Sequence, residues 1–179
     1  MRAAKITRPG GPEVLEIVDI PVPGPRAGEV LVRVRASALN RADLLQRQGR
    51  HPAPPGWPPD IPGLEIAGEV VEASGGSGAW RSGDRVFGIV GGGGNAEYVV
   101  THAAGLAGIP DSMSWEDAAA VPEAFITAHD ALVTQAALRR GERMLVHAAG
   151  SGVGLAATQL ARALGGTCYG TTRTQDKID

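Results

Sequence analysis

The sequence predicts a β-rich N-terminal domain followed by the first βαβ unit of a doubly wound domain, an α/β chain with an added β part. Three observations carry this reading. Six short β-branched runs fill the first two-thirds of the chain. Near Asp111 the texture changes to helix-forming segments. A buried-strand run, a glycine-rich turn, an Ala-rich helix and a second strand then follow.

Taken in order, the β runs are AAKI, VLEIVDI, VLVRVRASAL, IAGEVVEAS, RVFGIV and AEYVV, each with partial period-two alternation. Turn residues separate them at Pro9-Gly10-Gly11, Pro23-Gly24-Pro25, Gly75-Gly76-Ser77-Gly78 and Ser82-Gly83-Asp84. Strands punctuated this way predict a small sandwich or barrel. The run Gly91 to Gly94 could bring a loop close to a ligand, but reads better as a flexible loop. One helix interrupts the strands over RADLLQRQ, from Arg41 to Gln48, with Asn40 placed to cap it. His51 to Pro62 holds six prolines, which predicts an irregular and stiff loop.

Beyond Asp111, Ser114-Trp115-Glu116-Asp117 resembles a capping box with Asp in place of Glu or Gln. A helical run follows, breaks at Pro122 and resumes to Leu138. Arg140-Gly141-Glu142 then turns into the strand pattern Met144 to Ala149. The helix after the glycine turn reaches Leu164 and stops at Gly165-Gly166, and the second strand lies around Cys168 to Thr171. The domain boundary falls between residues 110 and 125, giving blocks 1–120 and 121–179.

Bulk properties narrow the function classes. With 43% hydrophobic and 20% charged residues the chain is ordinary for a globular protein. A net charge of -2 without long Lys or Arg runs gives no field to attract nucleic acid or an anionic membrane. One cysteine, Cys168, excludes an intrachain disulfide framework and a four-cysteine zinc lobe, and suggests a reducing compartment. The N-terminus has no apolar signal region, and no segment reaches the roughly 20 apolar residues that cross a bilayer. These features predict a cytoplasmic location.

The segment MLVHAAGSGVGLAATQLARALG carries the first chemical signal. A phosphate needs free backbone N–H groups at a helix start and small residues that let the backbone approach. Two registers are possible for a G-x-G-x-x-[GA] fingerprint. Gly152, Gly154 and Ala157 match literally but begin several residues after the strand ends. Ala149, Ser151 and Gly154 begin where the strand stops and are preferred, which sets Gly152 and Val153 at the helix start facing a pyrophosphate. Tight strand-to-helix turns also occur in proteins that hold no nucleotide; the buried strand before and the Ala-rich helix after favour the cofactor.

The end of the second strand selects the dinucleotide. NAD-binding units place an acid there for the ribose 2′-OH. This chain reads Gly170-Thr171-Thr172-Arg173, and Asp176 comes about five residues too late. Thr172, Arg173 and Lys177 supply hydroxyls and cations that suit a 2′-phosphate. The same charges could simply begin a surface helix, but NADP(H) is favoured.

Three segments together resemble one family: SALNRADLLQRQG; GLEIAGEV with GDRVFGIVGGGGNAEYV; and AAAVPEAFITAHDAL followed by HAAGSGVGLAATQLAR. They resemble the zinc-independent, zeta-crystallin-like NADPH:quinone oxidoreductases of the medium-chain dehydrogenase/reductase superfamily, and most of all the stress-inducible subgroup, for which NRADLxQRQG is characteristic. The likeness is colinear from Arg2 to Asp179. It implies a GroES-like catalytic domain before the Rossmann domain, substrate and nicotinamide in the cleft between them, and a homodimer for the full-length protein.

The resemblance also bears on metal and site residues. Zinc-dependent relatives use Cys-x-x-Asp and Gly-His-Glu segments, where this chain has Asn40-Arg41-Ala42-Asp43 and Gly63-Leu64-Glu65. Cys is thus replaced by Asn40 and His by Leu64, and Glu123 of VPEAF falls where a third ligand stands. An amide and a hydrocarbon do not hold tetrahedral zinc, so no metal is expected. A carbonyl must then be polarised by hydrogen bonds. Asn40 could donate its amide N–H to a quinone oxygen or only cap the helix. Asp43 could orient the site or be a structural carboxylate paired with an Arg. Relatives carry a pocket tyrosine near position 51, where His51 could donate a proton or merely face solvent. Thr127 aligns with a threonine near the nicotinamide in relatives, or bonds back to a helix carbonyl.

A Rossmann domain needs roughly six parallel strands, and two are readable here. The sequence therefore predicts a fragment of a longer protein, a fold completed by another chain, or a protein without catalysis. Three functions follow: NADPH-dependent quinone or enone reduction, enoyl reduction on an acyl carrier, and a non-catalytic module. NRADLLQRQG favours the first.

Overall fold

A computed structural model describes residues 1–173. The contacts divide the chain into two compact units, Met1–Pro122 and Glu123–Asp179.

In the first unit, β1 (Arg2–Ile6) and β2 (Leu15–Asp19) form an antiparallel hairpin. Five further strands form one antiparallel sheet: β3 (Glu29–Ser37), β4 (Glu65–Ala73), β5 (Arg85–Ile89), β6 (Tyr98–His102) and β7 (Leu106–Gly108). Their spatial order is β6-β3-β4-β5-β7, so the two longest strands pair at the centre. β-Branched residues drive this pairing because they fit a pleated surface with one face covered. Val30, Val32, Ile66, Val70, Val86, Val90 and Val99 form the resulting core. The sixfold strand reading holds, and β7 is an addition: its three residues, beginning next to Gly105 and ending on Gly108, are too short a run to read as a strand.

The hairpin is tied to the sheet by an isolated Ala3–Ala96 bridge and by Arg2, whose backbone N–H and Nε donate to the Glu97 carboxylate at 2.8 and 3.0 Å. The Arg2 backbone bond, then its guanidinium, hold the Glu97 carboxyl below the usual carboxylate range.

The connection between β3 and β4 contains α1 (Arg41–Arg47) and the proline loop. That loop packs against the run Gly91 to Gly94, which is closely packed where the sequence reading favours a flexible loop. Gly92, Gly93 and Gly94 are buried, and the N–H groups of Gly93 and Asn95 donate to Ile61 and Pro62 carbonyls at 2.8 and 2.9 Å. A Cβ on Gly91 would lie 2.5 Å from the Trp57 ring. Close approach requires glycine at 91 and 94 and positive φ favours it at 92 and 93, features that sequence periodicity does not reveal.

Helix α2 (Trp115–Ala119) packs on the sheet through Ala118 and Ala119. Its cap differs from a reciprocal box. The Ser114 hydroxyl accepts the Asp117 N–H at 3.0 Å and donates to the Asp117 carboxylate at 2.8 Å. Arg85 lies 4.3 Å over the Trp115 ring and donates to the Met113 carbonyl at 2.7 Å, fixing the start of the helix.

α3 (Pro122–His129) starts with Pro122 at its first position, where the missing N–H costs nothing. The helical run continues as a π-helical stretch, Asp130–Gln135. In the second unit β8 (Arg143–Val146), α4 (Gly152–Ala163) and β9 (Thr167–Gly170) form a βαβ unit with parallel pairing from Arg143↔Thr167 to Val146↔Gly170. Ala128, Leu132, Ala156 and Ala157 are its core. Among the described residues no helix is long and apolar enough to cross a membrane.

Replacing Ile66, fully buried in the sheet core, with Ala is expected to lower unfolding free energy by about 3 kcal/mol. Replacing Ile17, 72% exposed, with Ala should change it by less than about 0.5 kcal/mol. Chemical denaturation compares the two.

Candidate functional site

Each unit carries one candidate site. In the first, β3 runs out after Ser37 and the chain enters α1 through Asn40, whose φ of -113° and ψ of 159° are the extended geometry of a cap. The Asn40 backbone N–H donates to Asp43 Oδ2 at 2.7 Å. Asp43 Oδ1 accepts the buried Gly63 N–H at 2.8 Å. The carboxylate is 6% exposed and thus joins the helix start to the loop that leads into β4. Its hydrogen bonds run to backbone donors, Asn40 and Gly63, where the structural alternative from sequence has an Arg partner.

Asn40 does more than cap. Its Nδ2 donates to Glu65 Oε1 at 2.8 Å, and Glu65 is only 2% exposed. Glu65 is therefore a site residue that the sequence reading quotes without giving it a role. Its signal was an acid directly before the apolar and small run Ile66-Ala67-Gly68. An amide N has two hydrogens, so one remains beyond the bond to Glu65. Leu64 lies beside this pair in sequence and offers no ligand atom. Among the described residues no three His, Cys, Asp or Glu side chains converge to hold a metal ion. His51 is exposed at the start of the proline loop.

In the second unit Ser151 caps α4, its Oγ accepting the Gly154 N–H at 3.1 Å. Gly152 and Val153 are then the first two helical residues, whose N–H groups have no acceptor within the helix. A Cβ on Gly152 would meet nothing within 4 Å, which leaves the approach to these donors open. The Val153 side chain packs against the core, which leaves its backbone N–H at the helix start. Gly154 packs on the turn: a Cβ there would lie 2.5 Å from the Ala148 carbonyl oxygen. Gly154 belongs to both registers of the fingerprint, and this close approach leaves no room there for a side chain.

Ala148, not identified from sequence, has φ of 53°, in the left-handed region that favours glycine. His147, Ala148, Gly150 and Ser151 line a cavity of about 500 Å³ together with Thr171, Thr172 and Arg173. Turn and strand end thus meet in one space. Thr127 is exposed on α3, and Lys177 lies outside the described residues.

Residues 26–111 match the family described as the alcohol dehydrogenase GroES-like domain. The human quinone oxidoreductase is 37% identical over 178 residues, 98% of this chain and 54% of that protein. The solved quinone oxidoreductase from Thermus thermophilus, described together with its NADPH complex, superposes with a TM-score of 0.82 at 39% identity, covering 99% of this chain and 55% of that one. The chain belongs to the medium-chain dehydrogenase/reductase superfamily. Polyketide synthase GfsB of Streptomyces halstedii is 48% identical over 144 residues, 80% of this chain and 2% of that protein. This medium-chain dehydrogenase/reductase chain spans about half (54%) of the length of the quinone oxidoreductases it matches.

Two substitutions check the geometry. Asp43→Ala leaves the Asn40 and Gly63 N–H groups without an acceptor and should cost about 2–3 kcal/mol of unfolding free energy; Asp43→Asn, with one carbonyl oxygen where two are used, should recover only part. Ala148→Gly relieves the left-handed backbone and should raise stability by about 1 kcal/mol. Denaturant titration measures both.

Proposed function

We propose that the protein is an oxidoreductase that reduces quinones with NADPH and without a metal. The observation that carries the reading is the cavity in which the Ser151 turn meets the acid-free strand end at Thr172 and Arg173. Its donor set fits the cofactor. The N–H groups of Gly152 and Val153 suit a pyrophosphate, with Ala149, Ser151 and Gly154 shaping the turn. Thr172, Arg173 and Lys177 hold the 2′-phosphate, where an Asp or Glu would repel it. Bound there, NADPH supplies the hydride.

The protein residues then bind and polarise. Asn40 directs one amide hydrogen to Glu65 and uses the other to polarise the quinone carbonyl, while Asp43 fixes the backbone from which Asn40 projects. His51 delivers the proton that accompanies the hydride. Thr127 contacts the nicotinamide end of the cofactor. Asn40 and Leu64 replace the donors a zinc site needs, which supports metal-free chemistry.

A second reading is reduction of the activated double bond of an enone or an enoyl thioester. The 48% identity to a polyketide synthase favours it. The chain is titrated with NADPH and NADH by nicotinamide fluorescence, then assayed on 1,2- and 1,4-quinones and on an enoyl thioester. Saturable NADPH binding with quinone reduction that survives a chelator is expected. Turnover of the thioester alone selects the second reading, and no binding rejects activity for this chain. Arg173→Ala should weaken NADPH about tenfold and leave NADH nearly unchanged; equal losses overturn the NADP assignment.

A further inference from the structure

We infer that His147 and Thr171 form a positioning pair that sets the preference for NADPH over NADH. The inference rests on the NADPH reading above and names what holds its 2′-phosphate end in place. Regular pairing of β8 with β9 ends at Val146↔Gly170. One residue further on, the Thr171 N–H donates to the Val146 carbonyl at 2.9 Å, and the Thr171 carbonyl accepts the Ala149 N–H at 3.0 Å. The third tie is made by side chains: His147 Nδ1 lies 3.0 Å from Thr171 Oγ1, with the direction of the bond following the imidazole tautomer. Thr171 is thus held by its donor, its acceptor and its hydroxyl.

Placement gives this tie its consequence. Thr172 and Arg173 follow Thr171 directly and line the same cavity as His147 and Ser151. The pyrophosphate donors, by contrast, sit on α4, where the Ser151 cap and the packing of Gly154 on the Ala148 and Ala149 backbone fix them without the Thr171 hydroxyl. The two ends of the cofactor therefore depend on different supports. Loosening Thr171 releases the residues that meet the 2′-phosphate and leaves those that meet the pyrophosphate.

His147 and Thr171 are both exposed, so substitution leaves the packed core of the unit intact. Thr171→Val keeps the side-chain shape and removes the hydroxyl. Titration of the chain with each nucleotide should show NADPH weakened about tenfold and NADH by less than about twofold. Thr171→Ser should restore the wild-type ratio. His147→Ala should match Thr171→Val, and the double variant should be no worse than either, because both remove one interaction. Equal losses for the two nucleotides, or additive losses in the double variant, overturn the inference. The two readings fail separately. A wild-type chain that binds NADPH no better than NADH removes the NADP reading and the pair's role with it. A wild-type chain that prefers NADPH while Thr171→Val keeps that preference removes the pair's role alone.

Discussion

The antiparallel register of β3 on β4 is the constraint on which the first unit depends. These strands pair from Val30↔Ala73 to Ser37↔Ile66, with shifts between Leu31 and Val32 and between Val34 and Ala36. Ile66 thereby enters the core, and Glu65, one residue earlier, is set opposite the chain leaving β3. Asn40 emerges three residues beyond Ser37 and meets Glu65 at 2.8 Å. A one-residue slip would turn the valines of both strands out of the core, so apolar burial fixes a polar contact that it does not itself make.

Asp43 converts that register into a fixed site. A buried carboxylate is costly unless its oxygens are satisfied, and here two backbone N–H groups satisfy them. One belongs to the helix cap and the other to Gly63, which enters β4 just before Leu64 and Glu65. The glycine run on the far side of that loop is packed as tightly, with the Trp57 ring where a Cβ of Gly91 would go. Asn40 is therefore presented by a closely packed surround, which is what its proposed role in polarising a carbonyl needs.

The second unit uses a different set of contacts. The fit of Gly154 against Ala148 and Ala149 sets the distance between helix and turn, and the Ser151 cap sets the helix start. Alanine at position 148 carries the backbone strain that glycine would avoid. The hydrogen bonds of Thr171 span the open end of the two strands and hold the turn in that shape. The same contacts bring Thr172 and Arg173 to the cavity beside the turn.

Much of this was legible in the sequence. Alternating β-branched runs marked six strands because period-two burial leaves a direct trace in composition. Asn40 as a cap, Pro122 as a helix start and the βαβ order follow from local backbone chemistry, and Gly154 follows from where a strand must end. Other features depend on residues far apart in the chain. Glu65 meets Asn40 across 25 positions, Gly91 meets Trp57, and Thr171 meets His147 across 24. No local propensity encodes such pairs. Sequence alone therefore determined the elements other than the short β7 and which residue types could bind a dinucleotide. Only tertiary structure decided which side chains orient them, because strand register and close packing set those distances.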